Sequence, residues 1–529
     1  MRQRNQLDLE GKVVPATGRR SGHQYTGRPP VGIPECAAAR MPNDPRPAAR
    51  WGSFPLGGTG KGHEEAPSSP LPQGAPVSRT GQRIVILGAG FAGLYAALEL
   101  ERTVARDPGV EVVLVDPQNF LLFTPMLHEV ASGSLDPSSI VVPVRETLRR
   151  VEFLQAHTTA VDFAARTVTV AYGADRRART IAFDHLLIAA GSQTRFPPGL
   201  RPHVHGMKTI HDALVLRNWL IGLLERAEIE EDPERRRALL TIAVAGGGFS
   251  GVETIGAIND FLHEVARHYR RVSAELPRLV LIESNDRLLP EFEPALGEYT
   301  ASKLRDAGID VRLRTKVAAF DGRSLVLDVA GDATTPLSLA ARTMIWTAGV
   351  APSPLIESLS LAKERGRIAV DDTMAVPGHE GVWACGDCAA VPGPLGKPYP
   401  TTAQHAMRQG VQAARNIAAA VRGRPAQIRP FRYEMLGQFA AIGRHRAVAT
   451  LFGIRFSGFI AWLMWRSAYL SMLPRLDRKV RVFLQWTLEM CFARDTVQLL
   501  TVESIRAGRI EELMDSARAA ESADWAPQP

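Results

Sequence analysis

The sequence predicts an α/β fold: two Rossmann-like dinucleotide-binding domains, followed by a C-terminal amphipathic region that associates with a membrane. Three observations predict it. Two glycine fingerprints, Gly88-Ala-Gly90-Phe91-Ala92-Gly93 and Gly246-Gly-Gly248-Phe249-Ser250-Gly251, each follow a short apolar run and open a helix-like stretch. A strand end reading Ala-Gly at Gly191 is echoed at Ala348-Gly349. Residues 455–492 mix apolar runs, aromatics and cations. Three spaced glycines are a weak signal alone and a specific one between strand and helix.

Residues 1–80 are rich in Pro, Gly and Arg and lack apolar periodicity, which predicts a disordered N-terminal extension. They hold no apolar core of a secretory signal; Asp8 and Glu10 weaken a transit-peptide reading, which stays open. An upstream start codon, with Met41 or a later codon as the true start, stays open. Residues 81–215 read as the first part of one nucleotide domain, with a strand at 84–87, a helix at 91–105 and a strand at 111–115 ending in Asp116. Gly88 permits a tight turn, Gly90 lets backbone approach a pyrophosphate, and Gly93 lets the helix pack on the strand. The phosphates then lie on a helix N-terminus, whose free N–H groups and dipole favour an anion. Asp116 lies roughly 23 residues past Gly93, near the spacing of a carboxylate that binds a ribose hydroxyl. Residues 181–191 read as a further strand ending in Gly191.

Residues 216–350 read as a second, inserted nucleotide domain: a strand at 241–245, a helix at 249–272 and a strand at 279–282 ending in Glu283. The long spacing to Glu283 is assigned to a helix extended through His268. Residues 351–430 return to the first domain, with a last strand and turn at 382–391 containing Gly386-Asp387. Residues 431–529 form the C-terminal membrane-association or interface region. There 456–473 carry Trp462, Trp465, Arg466 and Tyr469, the cations Arg475, Arg478, Lys479 and Arg481 follow, and 482–492 add Phe483, Trp486 and Phe492. Apolar helix, interfacial aromatics and flanking cations describe a helix lying in the membrane plane. A core helix or a dimer interface is the competing reading.

The chain has 529 residues, 45% hydrophobic, and a formal charge of +8. No basic module with interleaved aromatics stands out, which excludes nucleic acid as a partner. The four cysteines, Cys36, Cys385, Cys388 and Cys491, are too few for a disulfide scaffold. Cys385 and Cys388 read as buried structural thiols, since no second Cys/His cluster completes a metal site, and no metal is expected. No run of about twenty uncharged apolar residues is present to cross a bilayer.

Residues 83 to about 500 resemble the type II NADH dehydrogenases, non-pumping NADH:quinone oxidoreductases of the two-dinucleotide-binding flavoprotein superfamily. The superfamily likeness rests on the two fingerprints, Leu-Ile-Ala-Ala-Gly191-Ser and Gly386-Asp387. The family likeness rests on 120–133 (Phe-Leu-Leu-Phe-Thr-Pro-Met-Leu-His-Glu-Val-Ala-Ser-Gly), on Thr402-Ala403-Gln404-His-Ala406, and on 456–466. The resemblance implies a glutathione-reductase-like fold, with FAD on Gly88, Gly90, Phe91, Ala92, Gly93, Asp116, Pro125, Gly191, Gly386, Asp387 and Ala403. It implies NADH on Gly246, Gly248, Phe249, Ser250, Gly251, Glu283, Ala348 and Gly349, with Glu283 repelling a 2′-phosphate.

Glu253, on the first turn of the second fingerprint's helix, stabilises a helix N-terminus in the bland reading. In the family it faces the nicotinamide–flavin–quinone junction. The family motif Ala-Gln-x-Ala-x-Gln places two glutamines at the quinone. Gln404 matches the first, but Arg408 stands at the second, and Gln409 is one position, about 100°, further round the helix. Arg408 is a quinone contact, a partner for an acidic head group or a surface residue. No Cys lies in 116–150 or 94–384, which argues against disulfide reductase and sulfide:quinone chemistry. The implied activity is hydride transfer from NADH to FAD, then electron transfer to a membrane quinone, with no proton pump. The implied site is peripheral, on the cytoplasmic side of the cell membrane, and a homodimer is left open. The alternatives are an NAD(P)H oxidoreductase with a non-quinone acceptor and a redox-sensing flavoprotein partner.

Overall fold

The computed structural model describes residues 81–330 and 336–499; the expectations for 1–80 lie outside the described residues. The first apolar run forms the strand Gln82–Leu87, flanked in parallel by Val110–Asp116 and His185–Ile188. Val382–Ala384 and Glu152–Gln155 complete a five-stranded parallel sheet. The near-continuous Val/Ile/Leu character of these strands suits a sheet covered on both faces. The second apolar run, Thr241–Ala245, is central in a four-stranded parallel sheet with Arg278–Ile282, Asp310–Arg312 and Thr343–Trp346. Where the chain leaves one sheet and returns, Ser192–Thr194 pairs antiparallel with Val350–Pro352.

Two local expectations change. The 181–191 segment is not one strand: Arg177–Ala182 ends a small antiparallel sheet, the chain turns, and His185–Ile188 enters the large one. Asp184 fixes the turn by accepting the Arg83 N–H at 2.6 Å. The expected 249–272 helix is α-helical over Phe249–Val265, continues as a 3₁₀ turn through His268, and restarts at Arg270.

The C-terminal part is an antiparallel sheet of Gly437–Gly443, Arg446–Leu451 and Ile454–Ser457, then helices Gly458–Met472 and Leu476–Cys491. No described helix is long and apolar enough to cross a membrane. The tryptophans expected at a membrane interface are turned the other way. Trp462, Trp465 and Trp486 are 8%, 1% and 4% exposed. They share a core with Met126, Leu127 and Val252. Helical spacing puts such residues on one face, and here that face meets the protein, where each indole buries some 150–250 Å². The solvent face carries Phe459, Ile460, Leu463, Phe483, Leu484 and Leu488, all more than half exposed.

Candidate functional site

The two fingerprints solve the same steric problem twice. Gly88 and Gly246 hold φ of +103° and +111°, which L side chains rarely adopt. A methyl on Gly93 or Gly251 would collide with the carbonyl oxygen of Gly88 or Gly246, five residues back. At Gly90 and Gly248 a methyl would meet nothing within 4 Å, so the backbone there is open to a ligand. The acids repeat as well. Asp116 Oδ2 accepts the Ala89 N–H at 2.6 Å, and the buried Glu283 accepts the Gly247 N–H. Each acid thus ties the end of its strand to its own glycine turn. Burial raises the Asp116 pKa against these backbone bonds.

A cavity of about 1120 Å³ opens on the first fingerprint, lined by Gly90, Phe91, Ala92, Asp116, Gly191, Gly386, Asp387 and Ala403. That is dinucleotide-sized. Asp387 Oδ2 accepts from Ser192 Oγ at 2.7 Å and lies 3.8 Å from Lys208 Nζ. Gln409, buried, accepts the Gly386 N–H at 2.8 Å, so it secures the Gly386-Asp387 turn. A cradle open at Gly90, an acid at the strand end and paired hydroxyl, carboxylate and ammonium groups fit an FAD.

A second cavity, about 400 Å³, lies where the two nucleotide sheets and the C-terminal region meet. Its walls include Pro125 and His128, then Phe249, Ser250, Glu253 and Thr254 from the second fingerprint's helix. Gln404, Gln438 and Tyr469 close the other side. Thr124, Lys208, Thr401 and Ala403 line both cavities. Glu253 Oε1 accepts from the Ala441 N–H at 3.2 Å and from Trp465 Nε1 at 3.1 Å; its Oε2 is 3.7 Å from His128 Nδ1. Burial pushes the Glu253 carboxyl up to about 8 and the His128 imidazole down to about 3. At neutral pH the acid therefore keeps its proton and the imidazole is uncharged, so their contact is not an ion pair. Behind them Glu129 takes the Trp486 indole N–H at 3.0 Å, and burial raises it to about 7.

Gln404 spends both ends of its amide locally: Oε1 accepts from Tyr433 OH at 3.0 Å, and Nε2 donates to the Gly437 carbonyl at 3.3 Å. Arg408 is exposed, lies 4.2 Å over the Tyr433 ring, donates to the Gln404 carbonyl, and lines neither cavity. The structure thus brings Glu253 and Gln404 together and leaves Arg408 outside. Ala348 and Gly349 sit at the second sheet's strand end, where Gly246 packs against the Ala348 backbone. Cys385 and Cys388 are buried free thiols, with Cys388 raised to about 12 by burial. No group of acids, His and Cys among the described residues could hold a metal ion. Sequence reasoning gave no role to His128, Glu129, Ser192, Lys208 or Gln438. His128 and Glu129 lay within the 120–133 segment already singled out; Gln438 carried no signal.

Residues 82–410 match the pyridine nucleotide-disulphide oxidoreductase family, and 435–495 match the NDH2 C-terminal domain. The chain is 32% identical over 467 residues to the type II NADH:quinone oxidoreductase Ndh of Mycobacterium tuberculosis, spanning 85% of this chain and 97% of that one. It is 34% identical over 414 residues to the demethylphylloquinone reductase NdbB of Synechocystis, spanning 76% and 95%. The solved structure of NDH2 from Plasmodium falciparum in complex with NADH shares the fold, with a TM-score of 0.73 at 20% identity over 79% of this chain and 99% of that one.

Proposed function

This chain belongs to the type II NADH:quinone oxidoreductases, and from that premise we propose that it uses FAD to oxidise NADH and reduce a quinone at a membrane surface. One observation carries the reading. The 400 Å³ cavity is walled by the N-terminal turns of the second fingerprint's helix and shares Thr124, Lys208, Thr401 and Ala403 with the FAD-sized cavity. Donor, carrier and acceptor would therefore meet where the two cavities share their walls.

When bound, FAD supplies the two-electron chemistry, taking hydride from NADH and returning electrons to quinone. The protein's part is binding, orientation and proton supply. Gly88, Gly90 and Gly93 offer the pyrophosphate an open turn and a helix N-terminus, with Asp116 placed for a ribose. Ser192, Lys208 and Asp387 line the remainder of that cavity. Gly246, Gly248 and Gly251 repeat the turn for NADH, and Glu283 selects against a 2′-phosphate. Reduction of quinone by NADH consumes one proton. Glu253 stands on the cavity wall with its carboxyl protonated at neutral pH, suited to donate it. The exposed face of Phe459, Ile460, Leu463, Phe483, Leu484 and Leu488 rests on the bilayer from which the quinone comes.

The test is NADH oxidation by the purified, FAD-loaded protein in lipid vesicles carrying quinone. Quinone-dependent turnover is expected. A protein that takes up no flavin, or whose flavin NADH reduces while quinone stays oxidised, overturns the reading.

A further inference from the structure

We infer that Gln438 and Thr254 grip the quinone head group from opposite elements of the junction cavity; this rests on the function proposed above. Both residues line that cavity, and Gln438 Oε1 and Thr254 Oγ1 are buried polar atoms with no hydrogen-bond partner. Native interiors rarely leave such atoms unpaired, and two of them in residues that line one cavity point to a ligand there.

Their positions are fixed independently. Thr254 follows Glu253 on the second fingerprint's helix. Gln438 lies on the first strand of the C-terminal sheet, beside Gly437, whose carbonyl holds Gln404. Gln404, the glutamine expected at the quinone, lines the same cavity, with one acceptor site taken by Tyr433 and one N–H by Gly437. Arg408 lies outside the cavity. The neighbouring strand thus adds a polar contact beside the one expected from the Ala403–Val421 helix. The chemistry suits both redox states. A hydroxyl and a carboxamide each donate and accept, so the pair can donate to quinone carbonyls and accept from quinol hydroxyls. A guanidinium only donates.

The experiment uses the full-length, FAD-loaded enzyme with Gln438→Leu, Thr254→Val and the double variant. A short-chain benzoquinone and its quinol are the probes. Each single variant is expected to raise the KM for quinone roughly tenfold and to weaken equilibrium quinol binding similarly, while flavin reduction by NADH in anaerobic stopped flow stays within about twofold. Gln438→Glu, which loses the amide donor, should weaken quinone more than quinol. Flavin content and Tm matching wild type exclude misfolding, and the isosteric Thr254→Val supplies a second reading should Gln438→Leu fold poorly. Slower flavin reduction with an unchanged quinone KM would assign the pair to the nicotinamide and overturn the inference. Wild-type quinone turnover with unaffected variants overturns this inference alone; no quinone turnover by the wild type overturns the proposed function as well.

Discussion

The indole N–H of Trp465 donates to Glu253 Oε1 at 3.1 Å, so a residue of the C-terminal helices completes the acid at the seam between the two nucleotide-binding sheets. The bond ties the proton-bearing group to the part of the chain with the most exposed apolar side chains.

Glu253 makes stability pH-dependent. Its carboxyl rises from 4.5 in the unfolded chain to about 8 in the fold. Below 4.5 both states hold the proton and the stabilisation is complete; as pH climbs towards about 8 the unfolded chain has released it and the fold has not, so stability falls. The loss is at most about 1.4 kcal/mol per pH unit for one group. Glu253→Gln should flatten this decline, so thermal melts of variant and wild type diverge as pH rises from 5 to 8. A constant gap would refute it. Quinone turnover should fall about a hundredfold, as for loss of a general acid, with flavin reduction retained.

The two third glycines separate the two nucleotide sites. Gly93→Ala is expected to yield colourless protein, because the methyl collides with the Gly88 carbonyl under the FAD cradle. Gly251→Ala should keep its flavin and lose NADH affinity by at least about tenfold, the equivalent of roughly 1.4 kcal/mol. Flavin absorbance and NADH titration distinguish the two. Equal flavin loss in both would contradict the assignment.

Glu283 is expected to set the nucleotide preference. The ratio of kcat/KM for NADH over NADPH should exceed about a hundred in the wild type and fall about tenfold or more in Glu283→Gln, which removes the charge facing a 2′-phosphate. Both nucleotides should also bind somewhat less well, because Glu283 secures the Gly247 turn. Steady-state kinetics with each nucleotide measure this, and an unchanged ratio contradicts it.

Leu484→Glu with Leu488→Glu places two charges on the outward face, where both leucines are more than half exposed. Folding and NADH-dependent reduction of a soluble dye should stay within about twofold, since such exposed positions carry little stability. Flotation with anionic vesicles should drop several-fold. Undiminished flotation would place the membrane contact elsewhere.

The two glycine turns were legible because their constraints are local. A positive φ at Gly88 and a blocked Cβ at Gly93 follow from chain neighbours a few residues apart, and glycine is the only residue that satisfies them. The junction was legible only in outline. Helical spacing placed Trp462, Trp465 and Tyr469 on one face without saying which way that face points; the Glu253 and Glu129 carboxyls, distant in sequence, draw the indoles inward. Gln438 was invisible because its importance depends on strand pairing and on the local bonds of Gln404. Arg408 stayed open between two readings for the same reason, since the Tyr433 ring it stacks on is remote in sequence.

Arg466 interrupts an otherwise uncharged helix, Gly458–Met472, yet lies 4.1 and 4.5 Å from the Trp462 and Trp486 rings and pairs with Glu489 at 3.1 Å. The helix's one ionic group is therefore already mostly buried and paired within the fold. Contact of its outer surface with hydrocarbon dehydrates no ion, and the insertion energy of that helix should be nearly indifferent to salt concentration.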